Sequence, residues 1–95
     1  MQKLSSSDIK RELAQLTGWQ LDHGKLFREF VFPDFSQAFG FMTVAALIAE
    51  SMNHHPDWFN HYSHVKVWLD THEIGGISSL DIELAGKLSH LYESK

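Results

Sequence analysis

Three histidines and a carboxylate crowd into two short stretches of this chain. Glu50 precedes Asn53-His54-His55-Pro56-Asp57-Trp58, and Thr71-His72-Glu73 follows, with His72 lying 17 residues after His55. Imidazole is the side chain whose unperturbed pKa falls near neutrality, so the grouping suits proton transfer to and from a bound molecule. Metal binding and redox chemistry suit it less. The chain has no cysteine, which removes thiolate nucleophiles and thiolate metal sites together. His54, His55, His61, His64 and His72 could supply imidazole ligands, but adjacent histidines on an extended segment point apart and no set has a familiar zinc spacing. We therefore expect no metal. His23, His61, His64 and His90 read as solvated surface residues.

The 95 residues fit one small domain, 1–95, and a chain this short buries a modest share of its surface, so self-association would be unsurprising. A hydrophobic content of 43% with 21% charged residues is ordinary globular composition. The net charge of -4 argues against nucleic acid as the main partner, because phosphate binding relies on a basic surface. No apolar run approaches a membrane span, and the N-terminus lacks the apolar core of a signal peptide. A cytoplasmic protein is the expectation, which the missing cysteines fit.

The elements that must position the histidines follow from periodicity. Ser5 to Leu16 reads as a helix with Ile9, Leu13 and Leu16 on one face, Ser5 and Asp8 forming a capping box, and Gly18 ending it. Trp19 to Leu21 and Leu26 to Phe32 read as a hairpin around Asp22-His23-Gly24-Lys25, closed by Pro33. Asp34 is a good N-cap for a long central helix in which Phe35, Ala38, Phe39, Met42, Ala45, Ala46, Ala49 and Met52 recur at helical spacing. Phe41, Val44 and Ile48 form a second apolar face that needs its own cover. That helix should stop near Met52 or Asn53, because Pro56 disfavours helical geometry before it. Trp58 to Tyr62 and Val65 to Thr71 read as a second hairpin, then Gly75-Gly76 breaks the chain. Ser78 and Asp81 form a capping box for a last helix carrying Leu84, Ala85, Leu88, Leu91 and Tyr92. The order αββαββα predicts an α+β fold in two layers, a four-stranded antiparallel sheet with helices packed on one face.

The second hairpin suggests how distant histidines meet. If Ser63 and His64 make a two-residue turn, Tyr62 pairs with Val65, Trp58 with Leu69, and His55 falls opposite His72. Glu50, four residues before His54, could reach that imidazole if the helix persists so far. Asp81 is explained equally well by capping or by a part in the chemistry.

Glu50, Asn53-His54-His55-Pro56-Asp57-Trp58, Tyr62, Val65, Thr71-His72-Glu73, Gly76 and Asp81, in this order and spacing, resemble the pterin-4a-carbinolamine dehydratases, also called 4a-hydroxytetrahydrobiopterin dehydratases. Gly18-Trp19, Phe30, Asp34-Phe35, Ala38-Phe39 and Phe41-Met42-Thr43 extend the resemblance over nearly the whole chain. It implies a lyase that removes water from a 4a-hydroxytetrahydropterin to give the quinonoid dihydropterin, within tetrahydrobiopterin recycling and linked to an aromatic amino acid hydroxylase. By resemblance, His54 and His72 form the principal acid/base pair and His55 binds substrate with a possible share in proton transfer. Glu50, Pro56, Thr71, Glu73, Ile74 and Asp81 join the three histidines as substrate-binding residues. The elimination needs neither metal nor organic cofactor. The resemblance also implies a homodimer or homotetramer. Some animal members bind a homeodomain transcription factor, so a non-catalytic interaction module is the alternative, with no direct DNA-binding signal in this acidic chain.

Overall fold

Positive-φ turns and three side-chain caps set the element boundaries. The computed structural model describes residues 1–94. Helix α1 (Ser6–Leu13) starts where Ser5 accepts a hydrogen bond from the Asp8 N–H. It ends three residues short of the expected Leu16: Leu16 N–H bonds to the Leu13 carbonyl and Trp19 N–H to that of Leu16, so turns carry the chain to Gly18 at φ +90°. Strands β1 (Gln20–Asp22) and β2 (Lys25–Val31) flank His23-Gly24, both at positive φ, as a two-residue hairpin turn that follows the twist of its strands requires.

Asp34 caps α2 (Phe35–Ser51) by accepting the Gln37 N–H at 2.9 Å. β3 (Asp57–His61) and β4 (His64–Leu69) form the second hairpin, a short 3₁₀ turn covers His72–Ile74, and α3 (Ser79–Glu93) closes the chain. The sheet is antiparallel with order β1-β2-β4-β3. Its inner face gives Leu26, Phe30, Val65, Val67 and Leu69 to a core completed by Ala38, Phe41, Ala45 and Ala49 of α2 and Leu84, Ala85 and Leu88 of α3. The expected α+β arrangement is the observed one. On the other sheet face the cross-strand pair Phe27 and Trp68 stacks at 5.0 Å, and Trp68 Nε1–H donates to Asp22 at 2.9 Å.

Two further expectations change. Along α2 the alanines let the helix lie close to the sheet while Phe41, from the expected second face, fills the space beside Phe30 and Phe32 at 4.7 and 5.1 Å. Phe35 and Phe39 turn outward, 47% and 54% exposed. In the second hairpin the turn is Tyr62-Ser63, so His61 faces His64 and Trp58 faces Val67 rather than Leu69. Asn60 explains the difference: its Nδ2 donates to the carbonyls of Tyr62 and His64 at 3.1 and 3.0 Å, locking the chain one residue earlier, with Tyr62 at φ +52°. The register moves by two, which leaves each side chain on its expected face. The ladder ends at Asp57 and Trp68, so His55 is not paired with His72.

Candidate active site

Histidine 54 owes its place to the way α2 ends. Asn53 takes the left-handed conformation at φ +51°, its N–H bonds to the Glu50 carbonyl at 3.0 Å, and the His54 N–H reaches back to the Ala49 carbonyl at 3.1 Å. This is a Schellman termination, with asparagine in the position glycine most often fills. It stops the helix sharply and leaves His54 buried at the start of the following loop. Glu50 consequently meets the next imidazole instead of His54. Its Oε1 lies 2.8 Å from His55 Nε2, on the exposed side.

His54 points to the N-terminus of α3, where its Nε2 is 2.5 Å from Asp81 Oδ1. Asp81 is fully buried. Its other oxygen, Oδ2, accepts the Thr71 hydroxyl at 2.8 Å and the Ser78 N–H at 2.9 Å, while the Ser78 Oγ accepts the Leu80 N–H at 3.2 Å. The expected capping box is therefore present, and one carboxylate serves helix and histidine with separate oxygens. A carboxylate only accepts hydrogen bonds, so against a carboxylate Asp81 the donor is Nε2–H of His54, and in the neutral imidazole the lone pair then sits on Nδ1. Nδ1 has no partner among the described residues, and none of their buried side-chain nitrogens or oxygens is unpartnered. Nδ1 is therefore open to solvent.

His54 lines a cavity of about 220 Å³ together with Asn53, His55, Pro56, Asp57, Asp70, His72 and Glu73. His72 reaches it by a route the hairpin register did not predict. Thr71 pairs with Gly76 as an isolated bridge, its N–H 2.8 Å from the Gly76 carbonyl, and the loop between them projects His72 and Glu73. Gly75, at φ +62°, makes the return possible. His72 is exposed, with Nε2 3.5 Å from Asp70 Oδ1 and 3.9 Å from Asp57 Oδ2.

All three expected catalytic histidines thus line one cavity, together with Pro56 and Glu73. Glu50 stands behind His55, Ile74 is half-buried in the 3₁₀ turn, and the side chains of Thr71 and Asp81 are buried beneath His54 rather than in the lining. Asp57 and Asp70 are lining residues to which the sequence reading gave no role. The signal for Asp70 was its place next to the Thr71-His72 pair. His61 and His64 lie across the β3–β4 turn, at the far end of β3 from His55, and do not join the cavity. The ligating atoms of Asp57, Asp70 and His72 lie within 4.8 Å of one another, but the Lys25 ammonium is 3.3 Å from the same Asp57 oxygen that faces His72. That cation opposes a second one.

Residues 2–91 match the family described as Pterin 4 alpha carbinolamine dehydratase. A relative from Solibacter usitatus is 53% identical over 89 residues, 94% of each chain. The Drosophila melanogaster protein named pterin-4-alpha-carbinolamine dehydratase is 55% identical over 73 residues, 75% of this chain and 38% of its own. The crystal structure described as a transcriptional coactivator/pterin dehydratase from Brucella melitensis superposes with a TM-score of 0.92 at 45% identity, covering 96% of this chain and 99% of that one. The histidine cavity, the capped carboxylate behind it and these likenesses converge: the chain belongs to the pterin 4 alpha carbinolamine dehydratase family.

Proposed function

We propose that the cavity dehydrates a 4a-hydroxytetrahydropterin to the quinonoid dihydropterin. The observation that carries this is the buried Asp81–His54 pair, set where His54 lines the cavity shared with His55 and His72. In the reaction the C4a–O bond breaks, the departing hydroxyl takes up a proton and leaves as water, and the ring gives up a proton. One base and one acid therefore suffice. We assign His54, its tautomer set by Asp81, as the base that takes the ring proton at Nδ1. His72, exposed at the rim, protonates the leaving oxygen, and His55, steered by Glu50, holds the pterin.

The substrate is the by-product of pterin-dependent aromatic hydroxylation, so the protein serves recycling of the reduced pterin beside such a hydroxylase. A cysteine-free chain suits the reducing cytoplasm, where we place the reaction. A homodimer or homotetramer is supported by the outer side of α2, where Phe35, Phe39, Val44 and Leu47 are 42–67% exposed beside an apolar hollow at Phe41 and Leu91. Light scattering showing a monomer at micromolar concentration would overturn that assembly.

The test of the chemistry is to generate the 4a-hydroxytetrahydropterin and follow its decay by ultraviolet absorbance. Wild type should exceed the spontaneous rate, and His54→Ala and His72→Ala should each lose most of the excess. No excess for wild type would end the enzyme reading. An unchanged rate in the double variant would end the assignment of roles.

A further inference from the structure

The resemblance places Thr71 among the residues that touch substrate, but its hydroxyl is buried and committed elsewhere. Thr71 is 4% exposed, and Oγ1 lies 2.8 Å from Asp81 Oδ2 and 2.8 Å from Ser78 Oγ. A hydroxyl has a single proton, and a carboxylate can only accept. The direction of every bond follows. Thr71 donates to Asp81, so Ser78 must donate its own hydroxyl proton to Thr71, while Ser78 Oγ accepts the Leu80 N–H. The result is a one-way chain from the first turn of α3 through Ser78 and Thr71 to Asp81, and its last member receives Nε2–H of His54.

We propose that Thr71 is a positioning residue that fixes the rotation of the Asp81 carboxylate and, through it, the tautomer and aim of the His54 ring. This rests on the dehydratase reading above. The Ser78 N–H alone holds Oδ2 at one point, about which the carboxylate can still swing. The Thr71 hydroxyl supplies a second point. With both in place Oδ1 is directed at Nε2, and Nδ1 of this cavity-lining ring, which has no partner among the described residues, is the nitrogen that carries the lone pair in the neutral imidazole. The backbone of Thr71 is held independently by its bridge to Gly76, so removing the hydroxyl leaves the His72 loop anchored.

The experiment compares wild type with Thr71→Val, which keeps the shape and deletes the hydroxyl, and Thr71→Ser, which keeps the hydroxyl. Thr71→Val should lower kcat roughly tenfold, the size expected for one hydrogen bond to a charged group, with KM changed less than twofold. Thr71→Ser should stay within about threefold of wild type on the same ground. Nitrogen-15 spectra of the His54 ring should show one tautomer, protonated at Nε2, in wild type and Thr71→Ser, and a mixture in Thr71→Val. A raised KM at unchanged kcat would assign Thr71 to substrate contact and overturn the proposal. So would an unchanged kcat with a single His54 tautomer. If Thr71→Val does not fold by circular dichroism, Thr71→Cys, with a weaker donor, takes its place under the same two criteria. His54→Ala and Asp81→Asn are run alongside: a wild type no faster than the spontaneous reaction ends the dehydratase reading, a wild-type rate in both of these variants ends the role of His54 and with it this proposal, and if they lose the rate while Thr71→Val does not, only the positioning role has failed.

Discussion

Asp81→Asn separates the two services of this carboxylate. The amide oxygen can still accept from the Thr71 hydroxyl and the Ser78 N–H, which hold Oδ2 at 2.8 and 2.9 Å. Its NH₂ group must then face His54 Nε2, where Oδ1 now sits at 2.5 Å. Two N–H groups cannot bond to each other, so the ring is driven to the other tautomer, with its proton on Nδ1 and no lone pair toward the cavity. The expected loss is the whole contribution of a general base, roughly 10²- to 10⁴-fold in kcat. The cost in stability should be small, about 1 kcal/mol, because both donors at the head of α3 keep an acceptor. Asp81→Ala behaves oppositely in proportion. It strands the buried Thr71 and Ser78 donors at about 1–3 kcal/mol each, a sum of about 2–6 kcal/mol, which is a large part of the ~5–15 kcal/mol available to a typical domain. Absorbance kinetics on the 4a-hydroxytetrahydropterin and thermal unfolding read the two effects separately. A folded Asp81→Asn protein retaining more than about a tenth of wild-type kcat would refute the base assignment, since even the weakest general base contributes more.

Three other perturbations test neighbouring parts of the structure. Asn53→Ala keeps the Cβ that Asn53 already has at φ +51° but loses the short polar side chain that eases the left-handed conformation, and Asn53→Gly removes the Cβ, so Tm should fall in the order Gly, Asn, Ala with the Gly–Ala gap about 1–2 kcal/mol; equal Tm values would show that the Schellman turn does not set the end of α2. The cavity rim carries Asp57, Asp70 and Glu73 and, among the described residues, is lined by no lysine or arginine, so a pterin with an anionic side chain should bind worse. Two carboxylates at ~6 Å in water cost about 0.7 kcal/mol each, together roughly tenfold in KM at low salt, and Asp70→Asn with Glu73→Gln should erase the difference. The hydrogen bond from Trp68 Nε1, followed by that from His23, holds the Asp22 carboxyl below its ordinary 3.8. Its contribution to stability is therefore complete above that value and lost as the pH falls through the lower folded-state value. Acid unfolding followed by Trp68 fluorescence should lose part of its slope below pH 4 in Asp22→Asn, and an unchanged slope would remove Asp22 from the acid response.

Helix caps and alternation made most of the fold legible. Asp34, Ser78 and the Val65-Val67-Leu69 alternation each state a local preference that the tertiary structure agrees with. What escaped were choices made by side chains acting at a distance of a few residues. Asn60 decides the second hairpin turn by bonding two carbonyls, and a strand-interior asparagine does not announce that in periodicity. Phe41 enters the core because Phe30 and Phe32 leave a space of its shape, which helical spacing alone does not distinguish from the positions of Phe35 and Phe39. The cavity itself was predicted through a pairing of His55 with His72 that does not exist. The histidines meet because the Asn53 turn ends α2 and the Thr71–Gly76 bridge returns β4 to the same end of the sheet.

Capping and chemistry looked like competing explanations of Asp81 because each alone accounts for an aspartate at that position. They stop competing once the two oxygens are counted. Oδ2 faces the Ser78 N–H and the Thr71 hydroxyl, so it is spent on the helix start; Oδ1 faces His54 and is spent on the ring. Glutamate at the third helical position would cap as well in an isolated helix, but its extra methylene would displace the carboxylate from a fully buried pocket already filled by three donors. The aspartate is thus specified by the histidine rather than by the helix, and Asp81→Glu should leave α3 capped while disturbing His54.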